Sequence, residues 1–428
     1  MNIRKNNTCP ALQKLLNNFI KKETKDLFTK KSKLNVLKEG ELKMFLDTGI
    51  PNKEIEGWRH TKLSWGEGTN NHVGGVSKKK LITPGFLLTI VNGQPRLKES
   101  NIPNYISLKE LNTLSEDESL NLLKKTSCEK NVFTKLNNAL VKSGFLLSVE
   151  NPDLEIVLTI HYINTIPGVS QSRFYFQTAN NVKLTIIEQF SSDEMTFQNN
   201  TSLWMVGEHS KVTKFRLGES GDENPRSTCI NNQFVEQLGS SSFNSYSLYF
   251  NDGDFKIAGT IRNNSYYTLL SPLASCSVFS ISKLAGQTHI DNNILMKHLA
   301  KDCESLQYFN GVFDQESSSV FNSSVWVEKG AQKSNTTQKN NSILLSKNSS
   351  FHSVPKLEIF ADDVKCNHGA TMGQLDERAL FYFRSRGVSE EVAKNLILYT
   401  FLTEPLQNIE TLGMKSIIQN DLKKQLNI

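Results

Sequence analysis

From about Gly144 to Lys365 the chain is a long series of short β-type runs, with no helical stretch of about 10–15 residues between any two of them. The runs fall at 154–163, 173–177, 183–190, 211–217, 242–250, 266–270, 276–281, 306–313, 320–327, 342–345 and 356–360. Many alternate apolar with polar residues, as in Val325-Trp326-Val327 and Leu357-Glu358-Ile359. A doubly wound α/β fold interposes helices, so this pattern argues against it. A sandwich or barrel would place Asn-Gly or Asp-Gly turns at most strand junctions; here Asn310-Gly311 and Asp252-Gly253 are exceptions. Most breaks are longer Ser/Asn stretches. Such breaks suit a solenoid, whose irregular corners let Asn and Ser side chains bond neighbouring coils. No fixed repeat period emerges, so the pattern favours the solenoid only weakly.

Both flanks read as helical. Leu12, Leu15, Leu16, Phe19 and Ile20 share one face of an amphipathic helix. A second segment carries Leu34, Leu37, Leu42, Phe45 and Leu46, and Gly49 and Pro51 stop it. Residues 51–145 are mixed: a strand is predicted over 81–91, ending at Asn92-Gly93, and helices over 108–123 and 132–140. Trp58 and Trp65 read as core or interface aromatics. Past Cys366, Leu375-Asp376-Glu377 opens a helix carrying Leu380, Phe381 and Phe383, and Gly387 sits where a helix-terminating glycine belongs. Ser389 then caps a helix with Glu390 and Glu391 at its positive end, followed by Leu396 and Tyr399. A last segment spaces Ile418, Leu422 and Leu426 four apart.

Composition removes several functional classes. The net charge is +6, but residues 1–150 hold 25 Lys and Arg against 15 Asp and Glu, so 151–428 carry −4. Acidic residues interleave throughout, and the one dense run, 78–80, sits beside Gly74-Gly75 as a loop. The basic third therefore reads as solvated helix faces, not a nucleic-acid surface. No stretch approaches the ~18–20 apolar residues that cross a bilayer, and the N-terminus lacks a secretion signal. The six cysteines are scattered without a CxxC pair, which fits a reducing cytoplasm and argues against a disulfide framework or zinc knuckle. Glycine-rich phosphate loops are absent, so no nucleotide is expected to bind this chain.

The sharpest chemical constellation is Asp362-Asp363-Val364-Lys365-Cys366-Asn367-His368. If the strand from Leu357 continues, Cys366 and His368 point to one face. Thiolate and imidazole together form half of a metal site, which a partner chain, a cluster's own sulfides or distant residues would complete. The alternative is a small buried cysteine beside a hydrogen-bonded histidine at a domain junction. A Cys–His nucleophile is disfavoured, because residues two apart on a strand lack the required geometry and no third group orients them.

Pro355 to Leu396, with Lys365-Cys366-Asn367-His368-Gly369-Ala370-Thr371 and Gly373-Gln374-Leu375-Asp376, resembles the C-terminal signature of the SufB/SufD family, in its SufD form. Gly286-Gln287-Thr288-His289-Ile290-Asp291-Asn292 and Ser319-Val320-Phe321-Asn322 are similar to further family segments, and Glu56-Gly57-Trp58-Arg59-His60-Thr61 resembles its N-terminal motif, with Arg59-His60 departing from it. The resemblance implies a mainly β protein: a right-handed parallel β-helix flanked by helical regions. The expected divisions are 1–145, mostly helical or mixed; 146–365, the β-helix core; and 366–428, helical. It further implies a non-catalytic scaffold for iron–sulfur cluster assembly, paired with a SufB-like paralogue, docked to a SufC-like ATPase and served indirectly by a cysteine desulfurase system. A transient iron–sulfur cluster would be shared with the partner, with His368 as ligand and Cys366 beside it. Docking of the ATPase would fall on Asp376, Leu380, Phe383, Arg386, Leu396 and Tyr399, on a hairpin presenting one apolar face to the solenoid end and another to the partner. Alternatives are a SufB-like principal scaffold chain and a β-helix carbohydrate-active enzyme; the Cys366–Asp376 segment speaks against the first, and the missing secretion signal and helical C-terminus against the second.

Overall fold

The structure is a computed structural model that describes residues 2–4, 9–25, 32–61, 63, 85–128, 131–150, 155–165, 168–192, 196–220, 228–250, 259–411 and 413–428. Trp65, the 78–80 lysines, Asp252-Gly253 and the first part of the predicted 81–91 strand lie outside them.

Two sheets face each other, and from β4 (Gly144–Val149) onward consecutive strands alternate between them. One sheet contains β1 (Phe86–Val91), β2 (Gln94–Pro95), β5 (Glu155–Asn164), β7 (Lys183–Ser192), β9 (Lys211–Ser220), β11 (Ser242–Phe250), β13 (Ser275–Leu284), β15 (Glu304–Phe313), β17 (Asn335–Leu344) and β19 (Lys365–Gly373). The other contains β3 (Ile106–Glu110), β4 (Gly144–Val149), β6 (Gly168–Thr178), β8 (Thr196–Val206), β10 (Thr228–Gln237), β12 (Thr260–Leu269), β14 (His289–His298), β16 (Ser318–Val327) and β18 (Ser350–Ile359). From β4 onward each strand pairs in parallel with the strand two places later. This is a parallel β-solenoid, and the sandwich is ruled out. One end is closed by antiparallel pairs, β1 with β2 and β3 with β4. At the other end β18 and β19 are edge strands.

The missing repeat period has a structural cause. Glu155 pairs with Lys183 and Ser242 with Ser275, so a coil takes from 28 to 33 residues. What repeats is a backbone conformation. Asn181, His209, Ser240, Leu273, Asp302 and Lys333 all adopt left-handed φ of 53–63° at successive equivalent corners. Each donates its amide to a carbonyl of the next coil, as His209 does to Gly239 and Ser240 to Pro272, both at 3.0 Å. Six residue types share one backbone role, so no consensus letter marks it.

The strands β8, β10 and β14 were not predicted, because their Asn-rich centres read as turns. In a stacked coil those asparagines bond in register instead. Asn231 donates to Asn263 (3.0 Å) and Asn263 to Asn292 (2.9 Å). A second row runs from Asn264 to Asn232 (3.0 Å) and on to Asn199 (3.1 Å). Between the sheets, Leu158, Ile186, Trp204, Phe243, Val278 and Val325 belong to one continuous core.

Helices cover both outer faces. α1 (Pro10–Glu23), α2 (Lys33–Thr48) and α4 (Val132–Leu140) pack with Phe197 and Ile230, burying Leu12, Leu16, Ile20 and Phe45 as the periodicity predicts. The helix expected over 108–123 is shorter. Ile106–Glu110 is β3, and Ser115 caps α3 (Glu116–Lys125) in a reciprocal capping box with Glu118. At the far end α5 (Glu377–Ser385), α6 (Glu390–Thr403) and α7 (Met414–Gln425) follow β19. Leu398, Leu402, Met414, Ile418 and Leu422 bury themselves against Phe215, Tyr246 and Phe279, a ladder of stacked rings 5.0 and 4.7 Å apart on the outer face of the first sheet. The C-terminal helices are therefore anchored on the flat side of the solenoid, not on its end as expected, because that side carries the apolar ladder. Asn310 donates to the Phe401 carbonyl (2.7 Å) and Tyr246 to that of Asn408 (3.0 Å), locking the seam. The solenoid itself runs on through Gly373, past the division expected at 365.

Candidate functional site

The last coil carries the motif residues. The strand from Leu357 does not continue; β18 stops at Ile359 and the chain crosses to the other sheet before β19 begins. Cys366 and His368 are still two apart on one strand, and they stack in register on Thr336 and Gln338. Both of those are buried, and Gln338 reaches Ser323 on the opposite sheet (2.8 Å), which marks this face as inward. Cys366 packs partly buried against the main core, and burial raises its thiol pKa. His368 occupies the next inward position yet is exposed, since no coil among the described residues covers it. The polar atoms Gln338 Oε1, Asn340 Nδ2 and Ser342 Oγ just beneath are buried without partners. Asp362 and Asp363 lie in the crossing, where Asp363 binds the neighbouring coil through its backbone: its amide reaches Gln332 (2.9 Å) and its carbonyl accepts from Lys333 (2.6 Å). Among the described residues no group of three or more His, Cys, Asp or Glu side chains gathers as a metal site.

The same end exposes apolar surface. Val354, Phe360 and Met372 are open on the terminal coil, Phe360 at 51% and Met372 at 61%. The hairpin that follows is capped as predicted. Asp376 accepts the amides of Arg378 (2.9 Å) and Ala379 (3.3 Å), Gly387 turns with φ 84°, and Ser389 accepts from Val392. α5 buries none of its residues. Its most exposed apolar side chains are Phe381, at 73%, and Tyr382, at 54%, with the Arg386 guanidinium 4.4 Å from the Tyr382 ring. Sequence reasoning places Phe381 on this helix but leaves it out of the docking set, and it misses Tyr382, since it ranks positions by helical spacing. Leu380, Phe383 and Leu396 are half-buried. Tyr399 faces the other way, into the C-terminal core.

Two motifs without an assigned role meet on the side of the second sheet. Residues 56–61 form a strap across β12, β14 and β18. The Arg262 guanidinium lies 3.6 Å from the centre of the Trp58 ring, donates to the Gly57 carbonyl (2.9 Å) and pairs with Asp291. Thr61 donates to Asp291 and lies 3.0 Å from His289 Nε2, whose Nδ1 is 2.7 Å from Ser318 Oγ. Burial pushes His289 down to about 4 against the pull of Asp291, with Arg262, His352 and His60 adding to the depression. Beyond it His60 stacks on His352, and Glu56 pairs with Lys356, both partners on the edge strand β18.

A parallel two-sheet solenoid sealed at one end, with edge strands at the other and helices at both termini, places the chain among the β-solenoid proteins. Residues 161–401 match the family model described as SUF system FeS cluster assembly, SufBD core domain, and the chain belongs to that family. It is SufD-like in its relatives. It is 25% identical over 396 residues to the iron–sulfur cluster assembly protein SufD of Escherichia coli, covering 87% of this chain and 89% of that one. An iron–sulfur cluster assembly SufBD family protein of Synechocystis is 25% identical over 84% of each chain. The SufD of Bacillus subtilis is 33% identical over a shorter stretch, 29% of this chain and 30% of its own.

Proposed function

We propose that the chain is a non-catalytic SufD-type scaffold that pairs through its open solenoid end with a SufB-like paralogue and docks a SufC-like ATPase on α5 and α6. The observation that carries this reading is the uncovered last coil. Two full-length edge strands present unpaired backbone groups, a ready template for another chain, and exposed apolar residues rim them. His368 and Cys366 lie on the inward face of that coil, so a paired chain would enclose them. Two ligands do not complete a cluster site; the remaining ones come from the partner and from the cluster's own sulfides. The iron–sulfur cluster is thus cargo held transiently at a subunit junction, its sulfur supplied indirectly by a cysteine desulfurase system. ATP binding by the docked partner would shift α5 and α6, and the 360–376 segment links them directly to the ligand strand. No described helix is long and apolar enough to cross a membrane. None of the six cysteines forms a disulfide, which supports a reducing, cytoplasmic setting.

Co-expression with SufB-like and SufC-like partners, followed by native mass measurement, tests this reading. The expected result is one assembly containing all three chains. Recovery of the chain alone, with both partners expressed and soluble, overturns it.

A further inference from the structure

A cleft of about 720 Å³ lies between α2, α3 and the first coils. Its size is that of a small-molecule site, roughly 300–1,000 Å³. Its walls divide into two kinds. One part is apolar, from Leu111, Leu123 and Val141; the other is cationic, from Lys38, Lys142 and Arg173.

The cations are unevenly neutralised. Lys142 pairs with Glu23 (2.8 Å). Arg173 is almost wholly buried, yet the acceptors around it are neutral: Asn137 (2.9 Å), Thr126 (3.1 Å), the Tyr175 hydroxyl (3.2 Å) and Asn138. No carboxylate among the described residues pairs with it or with Lys38. Lys38 is half-buried, and burial together with Arg173 and Lys142 lowers its pKa. Glu116 also lines the cleft, but its carboxylate is held at the start of α2, accepting from the Leu34 amide (3.0 Å). Among the described residues, two cations therefore share a concave, partly apolar site without a counter-ion of their own, at a cost that an anionic ligand would relieve.

We propose that this cleft binds a small organic anion, its charged head on Lys38 in the field of Arg173 and its apolar part on Leu111, Leu123 and Val141. Arg173 acts mainly through its charge, since four of its N–H groups are already engaged. The site is independent of the cluster-bearing end.

Titration calorimetry on the full purified chain tests the assignment, with phenyl phosphate, octanoate and inorganic phosphate as probes. Phenyl phosphate or octanoate should bind saturably at one site, and the preferred probe tells a phosphate head from a carboxylate. Lys38→Met should weaken that binding by about tenfold or more, and Lys38→Arg should largely restore it. A second readout uses the unaltered chain: the bound probe should slow acetylation of Lys38, followed by peptide mass spectrometry. This arm stands if Lys38→Met fails to fold. Lack of saturable binding by either organic probe, inorganic phosphate binding as tightly as both, or unchanged Lys38 acetylation in the presence of probe each overturns the proposal.

Discussion

The imidazoles of His60 and His352 lie face to face, ring centroids 3.8 Å apart and planes 17° from parallel. One belongs to the strap near the N-terminus and the other to the edge strand β18, so the first part of the chain is clipped to its last coil. Burial and the charge of His60 lower the pKa of His352, and burial pushes both His289 and His298 down to about 4.

Acidification should therefore destabilise the fold. These histidines resist protonation when folded and accept it near ~6.5 when unfolded. Stability is full above that value and declines as pH falls from there toward 4, where the unfolded chain binds more protons. For His289 and His298 the shift to about 4 is worth on the order of 3 kcal/mol each. Urea midpoints at pH 7.5 and pH 5 measure the effect. His298→Gln, which retains a donor for Ser305, should flatten the dependence; an equally steep decline in that variant would assign it to other groups.

The corner conformation makes a prediction of the opposite sign. Leu273 sits at φ 63° with its side chain 60% exposed, so it has strain and little packing. Leu273→Asn should stabilise the chain by about 1 kcal/mol, since Asn visits this region readily. The checking measurement is the denaturant midpoint, and a drop in stability would show that Leu273 makes contacts that outweigh its backbone.

Asn232 joins four elements. Its amide nitrogen donates to Asn199 Oδ1 and to the Asn200 carbonyl (3.2 Å), and its oxygen accepts from Asn264 and from Asn131, the cap of α4 (2.7 Å). Asn232→Leu should cost about 3 kcal/mol by leaving these buried groups without partners. Thermal unfolding would report it, and α4 should lose amide-exchange protection with it.

Those asparagines show how far the fold was legible. Strands with apolar alternation, such as Ser242–Phe250, stand out in the sequence to the residue. Strands built on Asn-Asn pairs do not, because what satisfies Asn232 or Asn263 lies about thirty residues away, in register but out of any local window. The capped helices were legible for the converse reason: Ser115, Asp376 and Ser389 bond within three residues of themselves. At the candidate site, the pairing of Cys366 with His368 on one strand was readable. Their position on an uncovered coil was not, since it depends on where stacking stops.

The C-terminal hairpin should be separable from the fold. Phe381→Ser and Tyr382→Ser remove exposed rings and should leave the melting temperature within about one or two degrees. Capture of the SufC-like ATPase should fall by about tenfold or more, as for a hot-spot aromatic. Leu402→Ala, by contrast, removes a fully buried anchor and should cost about 2–5 kcal/mol. Surface plasmon resonance with immobilised ATPase separates the two; undiminished capture by the double serine variant would move the docking surface elsewhere.

His368→Ala should leave folding and pairing intact, because the side chain is exposed. Cluster assembly in the full complex should drop severely. Cys366→Ser should match it if the thiol also ligates, and do less if the thiol is only packing. Anaerobic iron and sulfide content of the purified complexes is the measurement, and normal yields in the histidine variant would remove His368 from the site.

The uncovered last coil also gives the molecule a thermodynamic polarity. In a stack whose units touch only their neighbours, an interior coil is held from two sides and a terminal one from one. Opening free energy in the isolated chain should therefore fall along the axis, from the antiparallel seal at β2 and β3 to a fraying edge at β18 and β19. Association at that edge would then be linked to the ordering of the very strand that bears His368, and mass action by the partner would set how long that strand stays formed.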